Sequence, residues 1–252
     1  EGILDFFGEY SDHTKDSKFQ VAQMANKTLA AKLFNFGSRL VNSEYKHKDH
    51  VRSFLSGADH NSFVVELGSG WRRLTENAVN VDIFPHEDVD ILADIARTPF
   101  KDASVDYVII DTVLEHVPDP QSVVGEIFRI LKDGGSVLSI TPFVFPYHGY
   151  PKHYYNFSKD GLEYIFRKFD LVDIQQSLGP TSSMTNLFSE YFAVAFSAQN
   201  KFAYTLLKGL FLLPIFWLKY LDSLWFYSKN SLRIASHIAL EAQKPVTDRQ
   251  KV

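Results

Sequence analysis

The run Phe63-Val-Val-Glu66-Leu-Gly68-Ser-Gly70 constrains this 252-residue chain more than any other stretch. An apolar strand that ends in an acidic residue and a glycine turn suits a nucleotide-like ligand, because glycine adopts positive φ without a Cβ penalty and lets the backbone approach closely. In open α/β sheets, ligands sit just outside the carboxyl ends of the strands, where this turn falls. A dinucleotide site would need G-x-G-x-x-G/A and an acidic ribose ligand about 20 residues further on. Here Arg73 stands at the third glycine position, and Asp82 follows Gly68 by 14 residues. Both departures argue against NAD.

Glu66-Leu-Gly68-Ser-Gly70 and Val79-Asn-Val-Asp82-Ile-Phe84 resemble the first two motifs of the class I S-adenosylmethionine (SAM)-dependent methyltransferases. Ile91-Leu-Ala-Asp94-Ile resembles the third motif. The stretch PFKDASVDYVIIDTVLEHV, from Pro99 to Val117, is similar to the fourth strand and following turn of the small-molecule subgroup called type 11. IFRILKDGGSVLSIT, from Ile127 to Thr141, is similar to that subgroup's helix, glycine turn and fifth strand. Five motifs in the right order imply an α/β fold: a seven-stranded, mostly parallel, Rossmann-like sheet with helices on both faces. One departure stands out. Where the family often has a third glycine, two residues after Gly70, this chain has Arg72, whose long basic side chain must point away from the ligand or meet its carboxylate.

The resemblance implies SAM as cofactor, held by Glu66, Gly68, Gly70, Asp82, Ile83, Asp94, Ile95 and Asp111. Two ribose hydroxyls need a bidentate acceptor, which the Asp82 carboxylate at a strand end supplies. Glu66 orders the glycine turn or touches the donor. Asp94 and Ile95 fit the adenine pocket, with Asp90 near enough that either acid is alternatively an exposed turn residue. Asp111, at the end of the fourth strand, orients the SAM ammonium group or the acceptor.

The chemistry belongs to the segment after the fifth strand, Pro142-Phe-Val-Phe-Pro-Tyr147-His148-Gly-Tyr150-Pro-Lys-His153-Tyr154-Tyr155-Asn156-Phe. Methyl transfer is an in-line displacement whose leaving group is already activated by positive charge, so the enzyme supplies mainly alignment. A hydroxyl acceptor must also lose a proton, and a histidine within hydrogen-bond reach is the expected base. His153 and His148 are the candidates, with Asp111 as a further one. His153 is preferred because Tyr154-Tyr155-Asn156-Phe-Ser resembles a signature that closes over the donor in this subgroup. The alternative is that the histidines only hold the loop. Tyr147, Tyr154, Tyr155 and His116 are expected to face the acceptor, His116 alternatively packing the turn behind the methionine moiety. No cluster of converging carboxylates has the spacing of an oxygen-ligand cation site, so no metal is expected.

Four segments follow from the pattern. Residues 1–60 read as an N-terminal helical cap, 61–177 as the SAM-binding core, 178–233 as an apolar helical insertion and 234–252 as the last strand and tail. Asp119-Pro120 offers an N-cap and first-turn proline, Gly134-Gly135 a helix stop, and Ser158 another helix start. The strand Phe169–Ile174 and an antiparallel strand over Ile234–Ala242 complete the sheet. The uncharged stretch from Gly209 to Leu218 has only 10 residues and contains Pro214, against the roughly 20 needed to span a bilayer. Two readings of 204–221 stay open. One is a peripheral membrane contact with Phe211, Phe216 and Trp217 in the headgroup region and Lys208 and Lys219 snorkelling. The other is packing against the cap or the second subunit of a homodimer.

A net charge of -4 leaves no electrostatic footprint for nucleic acid, and the absence of cysteine excludes disulfides and thiolate metal sites. The opening residues Glu1-Gly-Ile-Leu show no basic region followed by an apolar one, so the chain reads as a cytoplasmic enzyme. Leu178-Gly-Pro-Thr-Ser-Ser-Met-Thr-Asn-Leu-Phe-Ser-Glu190-Tyr is similar to bacterial methyltransferases encoded with surface-polysaccharide assembly enzymes. That resemblance implies O-methylation of a small-molecule or glycan acceptor, a sugar or glycolipid handled at the inner face of the membrane. Methylation of a lipid, quinone or secondary metabolite, or an inert SAM-binding scaffold, are the alternatives.

Overall fold

The computed structural model describes residues 4–5, 44–70, 72–149, 152–225 and 228–246. Of the helical cap expected over 1–60, residues 6–43 lie outside the described residues. Eight strands form one sheet in the order β1-β4-β3-β2-β5-β6-β8-β7. They are β1 (Leu4–Asp5), β2 (Val64–Leu67), β3 (Ala78–Asp82), β4 (Ile91–Leu92), β5 (Val105–Asp111), β6 (Leu131–Pro142), β7 (Asp170–Leu178) and β8 (His237–Gln243). The first six run parallel, and β8 lies antiparallel between β6 and β7. The seven expected strands are thus present, and the two residues of β1 extend the sheet beyond β4.

Strand periodicity places alternate residues on opposite faces, and both faces are covered. Val65, Leu67, Val108, Ile110, Ile238 and Leu240 belong to one buried cluster, together with Val123, Ile127 and Ile130 of α2 (Pro120–Ile130) and Leu162 of α3 (Lys159–Ile165). Their neighbours Val64, Ile109 and Ala239 face the other way, against Val51 and Phe54 of α1 (Glu44–Phe54). Burial on both sides explains why the central strands read as continuous apolar runs.

The helix starts sit where capping chemistry puts them. Asp119 accepts the Ser122 N–H, with Pro120 in the first turn of α2, and Ser158 accepts the Gly161 N–H at the start of α3. The expected stop at Gly134-Gly135 is corrected: α2 ends at Ile130, because Leu131 is already extended and enters β6. The glycine pair serves the next turn instead. Gly134 takes φ +79°, and a Cβ on Gly135 would press on the Lys132 and Asp106 carbonyls at 2.9 and 3.1 Å.

Between β7 and β8, α4 (Pro180–Phe196) and α5 (Lys201–Leu212) form a helical hairpin, followed by a 3-10 turn at Phe216–Leu221 and the short α6 (Asp222–Trp225). Asp222 ties this excursion to its own start: its buried carboxylate accepts the Thr181 N–H at 2.6 Å, the Ser182 N–H at 3.1 Å and the Ser182 hydroxyl at 2.7 Å. Those are donors the first turn of α4 would otherwise leave unsatisfied. Ser183 Oγ donates to the Ile234 carbonyl at 2.7 Å, which fixes the hairpin to the approach of β8.

Candidate active site

Parallel pairing brings the carboxyl ends of β2, β3, β4, β5 and β6 to one edge, and the signature residues lie there. The Gly68 N–H donates to the Val81 carbonyl at 2.7 Å, and the Ala93 N–H donates to the Asp82 carbonyl at 2.9 Å, so three strand ends share one hydrogen-bonded rim. Gly68 has φ +74°, and a Cβ there would strike Val113 at 2.4 Å. Gly70 has φ +61°, and nothing lies within 4 Å of where its Cβ would be. The first glycine therefore seats the turn against the strand behind it. The second leaves open space on the ligand side.

Asp82 Oδ2 accepts the Gly70 N–H and Oδ1 the Phe84 N–H, both at 2.8 Å. The Ile83 amide also acts on this carboxylate, and of about four lone-pair directions at least one remains for a ribose hydroxyl. Burial pushes the Asp82 carboxyl above its usual range, while the amides of Phe84 and Gly70 act to lower it. Glu66 turns to the far side of the glycine turn, where Oε2 accepts the Leu74 N–H at 3.2 Å. Burial raises it to about 7. Glu66 thus orders the segment after the turn. Open space at Gly70 beside a carboxylate with remaining acceptor capacity fits the adenosyl half of SAM.

Arg72 swings across the rim, with Nη2 2.6 Å from Asp111 Oδ2. Its side chain is half exposed, and a guanidinium carries five N–H donors, so it can meet an incoming carboxylate without leaving Asp111. Asp94 makes a local turn, with Oδ1 accepting the Ala96 N–H at 2.8 Å. Ile95 joins the core and Ile83 stays partly exposed. Asp90 is taken up by Arg73 at 2.9 Å and by the Asn80 N–H, which settles it as a turn residue.

The loop after β6 folds back over the turn after β5. The Tyr154 N–H donates to the Glu115 carbonyl at 2.7 Å, and the Tyr155 hydroxyl donates to the Pro118 carbonyl at 2.9 Å. Tyr147, Tyr154, Tyr155, His153 and Asn156 line an open depression there, in which Tyr147 is the most exposed ring. His116, His148 and His153 come together: ring centroids are 5.1 Å apart for His116 and His148 and 4.2 Å for His148 and His153. Burial holds all three imidazoles below their ordinary pKa, hence neutral at pH 7.

Both ring nitrogens of His153 are engaged within the loop. Its Nδ1 accepts the His148 N–H at 3.3 Å, and its Nε2 lies 2.8 Å from the Tyr155 carbonyl and 3.0 Å from Asn156 Oδ1. Asn156 Nδ2 donates to the Phe145 carbonyl, so Oδ1 is an acceptor and His153 Nε2 must carry the proton. Its lone pair is then spent on a loop amide. His148 is different, because Nδ1 faces the Pro146 carbonyl at 3.1 Å and leaves the Nε2 lone pair for other work.

Glu115, within the Pro99–Val117 stretch, carries no local signature of a role. Its carboxylate is fully buried, neither oxygen has a hydrogen-bond partner among the described residues, and burial pushes it up to about 8. Only burial is signalled in Leu114-Glu115-His116-Val117: an acid between apolar residues at a strand end is a candidate for burial.

Residues 60–139 match the family model of a methyltransferase domain. Over those residues the chain is similar to a methyltransferase domain, and its sheet has the class I methyltransferase fold. Among curated proteins, this domain is similar to the sterol 24-C-methyltransferase erg6 of Schizosaccharomyces pombe, 35% identical over 98 residues, covering 36% of this chain and 26% of that protein. The matches span about a quarter or less of the length of the curated relatives. Among solved structures, the methyltransferase fold superposes on phosphoethanolamine N-methyltransferase 2 of Haemonchus contortus in complex with SAM. The TM-score is 0.51 with 16% identity, over 89% of this chain and 60% of that one. It superposes equally on the [4+2]-cyclase SpnF, at a TM-score of 0.52 and 16% identity, over 80% of this chain and 81% of that one. One fold thus carries both a methyltransferase and a cyclase, so the reaction must be argued from the site.

Proposed function

We propose that this protein transfers a methyl group from SAM to a hydroxyl of a sugar or glycolipid in the assembly of a bacterial cell-surface glycan. The observation that carries the reading is the convergence, across β5 and β6, of the Gly70–Asp82 cradle with a neutral histidine cluster under an aromatic rim. Bound SAM supplies a methyl group already activated by a sulfonium charge. Asp82 and the open face of Gly70 hold and orient the donor, and Arg72 and Asp111 close the rim beside it. On the acceptor side, the His148 Nε2 lone pair takes the hydroxyl proton as the bond forms. The exposed faces of Tyr147 and Tyr154 suit the C–H face of a sugar ring, with the hydroxyls turned to the histidines. The test is S-adenosylhomocysteine release from SAM with nucleotide sugars, free glycans, lipid-linked glycans, amines and quinols. Release with a glycan, with the methyl group on oxygen by mass spectrometry, is expected. Turnover confined to amine, lipid, quinol or carbon acceptors overturns the glycan assignment, and no turnover on any class leaves the scaffold reading standing.

The apolar insertion supports a peripheral membrane contact at the inner leaflet. Phe202, Leu206, Leu210 and Leu213 recur at helical spacing along α5, all well exposed, and Trp217 and Tyr220 continue the apolar surface. Such a stripe on a surface helix needs a cover. The residues differ from those picked out by sequence: Phe211 stacks on Phe192 inside the hairpin at 4.9 Å. The lysines are occupied too, Lys208 by Glu190 at 2.6 Å and Lys219 by burial. No single described helix is long and apolar enough to cross a membrane, so the hairpin would lie flat. Serine at Phe202, Leu206 and Leu210 is expected to release the protein from anionic liposomes in flotation, each lost side chain being worth roughly 1.5–3 kcal/mol. Wild-type protein that stays with the soluble fraction, and sediments as a dimer, would assign the stripe to a second subunit.

A further inference from the structure

We propose that Glu115, His116 and His148 form a binding site for one divalent transition-metal ion, beside the SAM cradle. Glu115 sits in the turn after β5 and is fully buried, and among the described residues neither carboxylate oxygen has a hydrogen-bond partner. A buried carboxylate without a partner is costly, and metal coordination is one of the ways proteins offset that cost. Two imidazole nitrogens face it: His116 Nε2 lies 3.8 Å and His148 Nε2 3.7 Å from the same oxygen, Oε1.

The other nitrogen of each ring argues that these two are ligands. His116 Nδ1 lies 2.5 Å from the Lys152 carbonyl, and His148 Nδ1 lies 3.1 Å from the Pro146 carbonyl. A carbonyl can only accept, so each ring is protonated on Nδ1 and presents its Nε2 lone pair to the Glu115 side. A backbone carbonyl behind a histidine is the usual outer support of a metal ligand, setting tautomer and ring orientation together. One donor atom from each of the three residues lies within 4.8 Å of the other two. Ligand atoms about 2.1 Å from a common ion sit about 3.0–3.4 Å apart. The two gaps to Oε1 therefore need to shrink by about 0.3–0.8 Å, and the remaining histidine–histidine gap, within 4.8 Å, by up to about 1.4–1.8 Å, which side-chain rotation of two loop histidines has to supply.

Two imidazoles and one carboxylate favour zinc, iron, cobalt or manganese over magnesium or calcium, which prefer all-oxygen shells. Three protein ligands leave at least one position for water or an acceptor oxygen. The proposal rests on the loop described above as the acceptor side, and it reassigns one task there. With an ion in place, the His148 lone pair would be spent on coordination, and an acceptor hydroxyl bound to the metal would lose its proton to bulk water before its oxygen takes the methyl group and S-adenosylhomocysteine leaves.

Metal binding is measured without any acceptor, so it fails or succeeds apart from the methyl-transfer reading. Untagged full chain, stripped with chelator, is titrated with Co²⁺ and Zn²⁺ by calorimetry, followed by the visible Co²⁺ spectrum and by metal content after gel filtration. One equivalent per chain is expected, with a cobalt spectrum of low coordination number and histidine ligation. Glu115→Gln, which keeps shape and removes charge, and His148→Ala should each weaken binding at least 10-fold. His60→Ala, at an exposed histidine away from the cluster, should leave it unchanged. Thermal melting shows whether each variant is folded, and a folded Glu115→Gln protein that still binds one equivalent with wild-type affinity overturns the proposal. So does wild-type protein that retains no stoichiometric metal, in which case a proton occupies the space between Glu115 and the histidines.

Discussion

His148→Ala is expected to lower the methyl-transfer rate by about 10²–10⁴-fold while SAM affinity stays within a factor of two, the range for loss of a general base or of the group that activates the hydroxyl. The motive is positional. His148 projects Nε2 to within 3.7 Å of Glu115 and has its other nitrogen committed to Pro146, whereas both nitrogens of His153 hold the loop. His153→Ala should therefore act by loosening that loop, raising KM for the acceptor more than it lowers kcat. Single-turnover rates and SAM titrations on both variants separate these effects. If His153→Ala gives the larger loss in kcat at unchanged KM, the loop relaxes on binding and His153 is the base.

Asp82→Ala is expected to weaken SAM binding by about 1.5–3 kcal/mol, the value of a hydrogen bond to a charged group, or about 10- to 150-fold in Kd. Asp82 also accepts the Gly70 and Phe84 amides, so part of the loss comes from the turn itself. Asp82→Asn disturbs turn and ribose contact together, because its amide nitrogen replaces one of the two oxygens that accept Gly70 and Phe84. Calorimetric titration with SAM and with methionine alone decides the matter. A ribose ligand affects SAM and leaves methionine nearly untouched, whereas equal losses for both would mean that the carboxylate acts only through Gly70 and the turn it holds.

The cofactor half of the site was legible because its signals are local. Gly68 and Gly70 lie one residue apart at the end of an apolar run, and Asp82 closes the next strand. Parallel pairing then makes strand ends neighbours whatever the loops do. Asp94 shows the limit of such reading: its place in the motif is that of an adenine contact, and in the fold its Oδ1 accepts the Ala96 N–H. The insertion was legible as apolar and as too short to span. Which of its aromatics face out was not, because Phe211 and Trp217 differ only in what the hairpin packs against them.

The sequence by itself determined the α/β sheet, the order of the SAM motifs and the helix starts at Asp119 and Ser158, since period, glycine and capping act over a few residues. Only the tertiary structure decided the acceptor side. Glu115, His116 and His148 meet because the loop after β6 is hydrogen-bonded back onto the turn after β5, through Tyr154 to Glu115 and Tyr155 to Pro118. His148 follows Glu115 by 33 positions, across α2, β6 and the loops that flank them. No spacing rule connects them, and the contact exists because β5 and β6 pair side by side in one sheet. The same holds for the tautomers. Which nitrogen of His148 or His153 is free depends on a carbonyl or amide that the folded loop places there, and linear sequence carries no record of that direction.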